Sequence, residues 1–258
     1  MNKSKFVMQS NQVTLSKINL QNIYEKRLVN AFIDSLSPHL EAQLESKNKY
    51  SKGIHVREYK EPAFGANQSI YYVYRLADIE PIPQNYNRLR TAIKKLRKTD
   101  VDIVTPERIE IFTGLIEYAS INHNDEYFTV KLSLTAYQFL CDLSKGYSLK
   151  HFKTSLELQS LYSSNIYDLI CKWRNKTQFQ IDLDELRFIT NTENKYSAAA
   201  DFKKRVLDSS KYELDNSDFT DLTFNYEDIK VGKRITGFRF TIIHTGNDKL
   251  EKTKLTEN

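Results

Sequence analysis

From Leu15 onward, apolar residues recur at helical spacing: Ile18, Ile23, Leu28, Phe32, Ile33 and Leu36. Positions three and four apart share one face of a helix, so the run predicts an amphipathic helix. Pro38 lacks a backbone donor, and the helix is expected to stop there. Residues 1–14 are polar and predict a frayed, flexible tail. Residues 41–68 are again polar, and their YKEPAFGANQS stretch predicts a loop. SIYYVYRLADI (69–79) opens β-rich, with a short helix beginning at Ala77. After Pro81 and Pro83 comes NYNRLRTAIKKLRKT, a helix with Tyr86, Leu89, Ile93 and Leu96 on one face. Ile109, Ile111 and Leu115 then lead to a polar tip, INHND (121–125), and back through Phe128, Val130 and Leu132, which predicts a β-hairpin. Leu134–Leu143 reads as helix, with Gly146 as its C-cap.

The second half repeats this order. Leu156–Trp173 predicts one long helix, TQFQI (177–181) a short strand, LDELRFIT (183–190) a helix, and YSAAADFKKRVLDSSKYEL (196–214) another. Leu222, Phe224 and Tyr226 alternate, EDIKVGKR turns, and Phe238, Phe240 and Ile242 alternate back. Helix, short strand, helix, helix and hairpin is the winged-helix order. The expected fold is therefore α+β: two tandem winged-helix domains, 15–145 and 146–244, the second a DNA-binding domain, with flexible tails at 1–14 and 245–258. Tyr86, Leu89, Ala92 and Leu96 share their spacing with Tyr196, Ala199, Phe202 and Val206, and both sets precede a hairpin, which suggests a tandem duplication.

Composition narrows the class. The chain is 40% hydrophobic with only 7 Gly and 5 Pro, so it can bury proper cores and has little material for long flexible linkers. Its formal charge of +5 is a mild excess, so the position of the cations matters more than their sum. The two cysteines, Cys141 and Cys171, form no CxxC pair and read as reduced thiols in helices. The segment MNKSKFVMQSNQ lacks the apolar core of a signal peptide, and no run of about 18 apolar residues offers a membrane span. The expected location is cytoplasmic.

Three basic features carry the candidate site. Residues 84–99 hold Arg88, Arg90, Lys94, Lys95, Arg97 and Lys98 with no acidic residue. Solvated helices usually mix signs, because like charges one turn apart repel. Ahead of a hairpin, this one-signed helix favours phosphate contact over a merely solubilising face, with Arg88, Arg90, Lys94 and Lys95 as the contacts. In the second domain, placing Phe202 and Val206 inward sends Ser197, Ala200, Asp201, Lys204 and Asp208 outward, flanked by Lys203 and Arg205. Small residues at the start of this helix let its backbone approach a major groove, where Lys and Arg donate to guanine or to phosphates. Asp201 could accept from a cytosine amino group, but an ion pair with Arg205 one turn later is the expected arrangement. Finally, Lys230, Lys233 and Arg234 around Gly232 place three cations on a wing tip able to reach the minor groove or the backbone.

Catalytic signatures are missing. The histidines, at 39, 55, 123, 151 and 244, never form the HxH pair that a metal-dependent nicking enzyme would need beside its tyrosine. GxxxxGK[ST], GxSxG and HExxH do not occur. Asp182, Asp184 and Glu185 are better placed to cap a helix than to bind a metal. No catalytic residue, metal or cofactor is expected, and the chain reads as a binding protein and not an enzyme.

LYSSNIYDLICKW, FQIDLDELRFIT, KYSAAADFKKRVLDSSKYEL and LTFNYEDIKVGKRITGFRFTI together resemble the C-terminal winged helix of iteron-type plasmid replication initiators, over about 90 residues. NIYEKRLVNAFIDSL and YNRLRTAIKKL resemble the family's first domain more loosely. Tyr212-Glu213-Leu214 and the small Ala198–Ala200 stretch depart from the family pattern. The resemblance implies a protein that binds repeated double-stranded origin sequences (iterons), promotes opening of an AT-rich stretch, and helps bring in the host initiator and helicase. It also implies a homodimer that represses its own gene. A winged-helix transcriptional repressor without a replication role, a protein–protein adaptor and a rolling-circle nicking enzyme are the alternatives.

Overall fold

The computed structural model describes residues 6–16, 18–49, 71–104, 110–122, 124 and 126–246. Most of the expected 41–68 loop, Ile109, tip positions 123 and 125, and the tail from 247 lie outside them. The chain divides into two compact units, Val7–Leu149 and a second comprising Phe6 and the residues from Lys150 onward.

The N-terminal unit departs at once from the expected frayed tail. Phe6–Ser10 forms strand β1 and Asn11–Leu15 helix α1, with Val7 and Met8 buried. Polar groups of this segment find partners within the fold. Ser37 Oγ accepts from the Met8 N–H at 2.9 Å, the Gln9 amide donates to Thr14 at 2.8 Å, and Ser10 caps α1 by accepting from the Gln12 N–H. The next helix, α2 (Ile23–Lys49), starts later and ends later than its periodicity suggested. Its start is fixed by Asn22 Oδ1, which accepts from the N–H groups of Tyr24 and Glu25 at 3.0 and 3.1 Å. It runs through Pro38, which costs one ladder bond, because Phe32, Ile33, Leu36 and Leu40 keep a continuous buried stripe across it.

Strand β2 (Tyr71–Arg75) and helix α3 (Leu76–Ile79) follow, then a single 3₁₀ turn and α4 (Tyr86–Leu96), whose Tyr86, Leu89, Ala92, Ile93 and Leu96 are buried as the pattern required. Next comes a hairpin the pattern did not reveal, β3 (Asp100–Val104) against β4 (Glu110–Gly114). The expected hairpin is β5 (Ile116–Asn122) and β6 (Tyr127–Leu132), so Ile111 belongs to the hairpin before it. Helix α5 (Leu134–Leu140) is capped by Ser133 and ends at Cys141, short of Leu143. Gly146 has the left-handed φ of +80° expected of it, but in the turn beyond the helix rather than at its cap. Strand β7 (Tyr147–His151) leads onward.

In the C-terminal unit the long helix expected over Leu156–Trp173 is two, α6 (Phe152–Glu157) and α7 (Leu161–Lys172). Ser160 breaks them: its backbone is extended and its hydroxyl accepts from the Tyr162 N–H at 3.2 Å. Strand β8 (Gln178–Asp182) and α8 (Leu183–Thr190) stand where the pattern placed them. The last helix begins at Ala199 rather than at Tyr196. It runs as α9 (Ala199–Phe202), a π-helical stretch (Lys203–Asp208) and α10 (Ser209–Asp215). Strands β9 (Leu222–Val231) and β10 (Arg234–His244) complete the unit.

Each unit's three-stranded sheet places its first strand beside its last: β2-β6-β5 in one and β8-β10-β9 in the other. This shared topology, together with the shared element order, carries the repeat. The residue register does not, since Tyr86 opens α4 whereas Tyr196 precedes its helix with a left-handed φ of +52°.

The core of the C-terminal unit is aromatic. Phe202 packs on Phe238 (ring centroids 6.2 Å apart), and Phe240 packs on Phe179 (5.0 Å) and Phe224 (5.1 Å). Phe202, Val206, Ser210 and Leu214 are all buried at four-residue spacing. In a straight α-helix each such step overshoots one turn by about 40°, so the stripe would wind off the sheet. The π-helical stretch, with more residues per turn, holds it in line. Asp221 is buried behind this core, pairing with Arg174 and accepting from the Tyr167 hydroxyl at 2.5 Å.

Gly237 lies at the register shift of β10, and a Cβ there would sit 2.6 Å from the Ile181 carbonyl oxygen. Gly237→Ala must push β8 off β10. The expected cost is about 1–3 kcal/mol of unfolding free energy, read from urea denaturation, whereas the same change at Gly246 is near neutral.

Candidate nucleic-acid interface

In the N-terminal unit, the apolar stripe of α4 faces inward, so its cations face out. Arg88, Lys94, Lys95, Arg97 and Lys98 are exposed. Arg90 is half-buried and donates to Asn87 Oδ1 at 3.1 Å, which makes it the least available of the expected contacts. The cations border two grooves. Arg88 lines one with Asn22, Tyr24 and Thr91, and donates to the Tyr24 hydroxyl at 3.3 Å. Lys94, Arg97 and Lys98 line the other, against Tyr118 and Ile121 of β5.

In the C-terminal unit the outward set is as the helical wheel required. Ser197, Ala200, Asp201, Lys204, Arg205 and Asp208 are exposed, while Phe202 and Val206 are fully buried. The helix start carries no side-chain cap, because Ala198 stands at the N-cap. Two expectations change here. Asp201 does not pair with Arg205; the Arg205 guanidinium lies over the Tyr196 ring, 5.6 Å from its centroid. Lys203 is held by Asp228 of β9 at 2.8 Å, and the same carboxylate lies 3.6 Å from Lys230. One acid thus offsets part of two of the expected contacts, leaving Lys204 and Arg205 as the strongest outward charges of the helix.

The wing is narrower than EDIKVGKR implied. Val231 pairs with Arg234, so only Gly232 and Lys233 make the turn, and Gly232 adopts a left-handed φ of +62°. Lys230, Lys233 and Arg234 are exposed at its tip beside Val231. Tyr226, lower on the wing, donates to Asp208; burial and then that carboxylate raise its hydroxyl pKa well above the usual value.

A reading by charge missed two groups that shape this surface. Arg187 of α8 donates through Nη2 to the carbonyls of Tyr196 and Ser197, at 3.0 and 2.9 Å. Tyr196 meets Tyr162 edge-on at 6.1 Å. Neither interaction has a sequence signature, because the path of residues 191–198 follows from tertiary packing. Among the described residues, no group of three His, Cys, Asp or Glu side chains gathers as a metal site. Cys141 and Cys171 are buried thiols, the former just past the end of α5.

The folds and these surfaces define a tandem winged-helix protein whose exposed cations lie on α4, on the helix that starts at Ala199, and on one wing. The family described as "Initiator Replication protein, WH1" matches residues 6–171, and that described as "Initiator Rep protein, WH2" matches residues 182–242. The chain belongs to this initiator replication protein family. Among solved structures it is similar to the Pi initiator protein crystallised in complex with iteron DNA. That likeness has a TM-score of 0.68 at 20% identity, covering 95% of this chain and 100% of that one. A weaker likeness, TM-score 0.40 at 9% identity, is to domains 2 and 3 of RctB, covering 94% of this chain and 88% of that one. No curated protein sequence matches. Among the described residues, no helix is long and apolar enough to cross a membrane.

Proposed function

We propose that the chain is a plasmid replication initiator that binds directly repeated origin sequences, using both winged helices on double-stranded DNA. The observation that carries this reading is the pair of initiator-family matches, one on each winged helix. The likeness to the Pi initiator protein, solved with iteron DNA, supports it along nearly the whole chain.

In this reading Ala199–Asp215 enters a major groove. Ser197, Ala200 and Asp201 approach base edges, Lys204 and Arg205 donate to guanine or phosphate, and Lys203 contributes less because Asp228 holds it. Lys230, Lys233 and Arg234 follow the adjacent backbone or minor groove. Arg88, Lys94 and Lys95, with Arg90 in a lesser role, neutralise phosphates from the N-terminal unit. The protein acts by binding rather than by bond chemistry. It promotes opening of an AT-rich stretch, recruits the host initiator and helicase, and represses its own gene as a dimer in the cytoplasm.

Footprinting on DNA flanking the gene tests the reading. Protection of direct repeats, of the order of two helical turns each, is expected. A plasmid carrying those repeats should require the protein for replication; protection without replication would identify a repressor instead.

Lys204→Ala with Arg205→Ala is expected to abolish sequence-specific binding in a gel shift. Stability should change by no more than about 0.5 kcal/mol per site, since both side chains are exposed.

Neutralising Arg88, Arg90, Lys94 and Lys95 together should instead weaken binding to every sequence alike. The slope of log affinity against log salt should flatten by up to about 0.9 for each phosphate no longer neutralised. An unchanged slope would place α4 away from DNA.

A further inference from the structure

The start of the DNA-reading helix is held from behind. Ala198 offers no side-chain cap, and the three residues before it are polar and exposed or half-buried, so nothing local fixes the entry of the chain into α9. Three tertiary interactions fix it instead. Arg187 Nη2 donates to two successive carbonyls, Tyr196 and Ser197, at 3.0 and 2.9 Å, while its guanidinium lies 6.0 Å from the centroid of the Phe202 ring. Tyr196 occupies a left-handed conformation (φ +52°), which costs free energy in a non-glycine residue and persists only where the surroundings impose it. Its ring is set edge-on to Tyr162, with the two hydroxyls 3.3 Å apart. On that ring rests the guanidinium of Arg205, further along the helix.

We infer that Arg187 and Tyr196 are positioning residues for base readout: the clamp on the Tyr196 and Ser197 carbonyls sets the start of the helix, and the Tyr196 ring orients Arg205. The inference rests on the DNA-binding reading above. Its logic is geometric. A bidentate interaction between arginine and guanine discriminates only if the guanidinium arrives in one orientation. An arginine on a flexible stem loses entropy when fixed by DNA, and less is lost if it is already parked on an aromatic ring. Contacts to phosphate tolerate a mobile cation, so removing the clamp should spare non-specific binding.

The test uses the full chain and the duplex it enriches from a randomised pool, compared with a scrambled duplex of the same length. Arg187→Met keeps the side-chain stem but removes the donors. Tyr196→Ala removes the ring, and Tyr196→Phe keeps it. Arg187→Met and Tyr196→Ala are each expected to lower the preference for the selected duplex about tenfold. Affinity for the scrambled duplex should stay within about threefold, since phosphate contacts remain. Tyr196→Phe should retain the preference. In an Arg205→Ala background, Tyr196→Ala should lower it no further.

Equal losses on both duplexes, or an unaltered preference in Arg187→Met and Tyr196→Ala, would overturn the positioning role. A wild-type chain that enriches no sequence would overturn the DNA-reading role itself. If Arg187→Met fails to fold, the Tyr196 pair and the Arg205 cycle decide.

Discussion

Phe202 docked on Phe238, with Phe240 and Phe224 behind, is the fit around which the C-terminal unit is arranged. A helix can present a chemically useful outer face only if its inner face is docked, and the stacking of Phe202 on Phe238 is part of that docking. The stripe of Phe202, Val206, Ser210 and Leu214 is buried at four-residue spacing, and the π-helical stretch, with more residues per turn, lessens its drift around the helix. Lys203, Lys204 and Arg205 all lie at the start of this distorted stretch. The geometry of the outward cations is thus a direct consequence of the inward fit.

Charge at the surface is sorted by its partners. Lys203 and Lys230 share Asp228, and Lys211 is paired with Asp215 one turn away, so these contribute to the fold as much as to any ligand. Lys204, Lys233 and Arg234 have no such carboxylate among the described residues, and Arg205 is held by an aromatic face instead. Cations that are exposed and not already offset release the most counterions on meeting a polyanion. The same sorting makes the one-signed surface of α4 a phosphate-facing candidate rather than an ion-paired helix.

Both units also bury an arginine–carboxylate pair: Arg27 with Glu80 in the first, and Arg174 with Asp221 in the second. Removing one partner of such a pair strands a charge in a poorly solvated place, so the pairs penalise alternative packings more than they add stability. In the C-terminal unit the pair is extended by Tyr167, whose hydroxyl also accepts from the His151 backbone N–H at 2.9 Å. That network anchors the segment entering α6 to the element that precedes β9.

The fold class, the helix–strand–helix–helix–hairpin order at the heart of each unit, the inward faces of α4 and the Ala199–Asp215 helix, and the family were all legible in the amino-acid sequence. They follow from periodicity, which is local, and from residue types that survive in a pattern: the Phe202 to Leu207 run, or Tyr226 to Arg234. Where helices start and stop was settled by packing. Asn22 and Ser160 became caps because of where the chain turned, and Pro38 was carried through α2 because burial on both sides outweighed one missing hydrogen bond. Packing also made Phe6–Ser10 a strand rather than a tail, since its polar groups find partners far along the chain, such as Ser37 for Met8. The candidate site divides the same way. Which cations point outward was legible from the helical wheel. Which of them are already engaged was not, because Asp228 and Tyr196 reach Lys203 and Arg205 only through the packing of a wing and a loop on the helix.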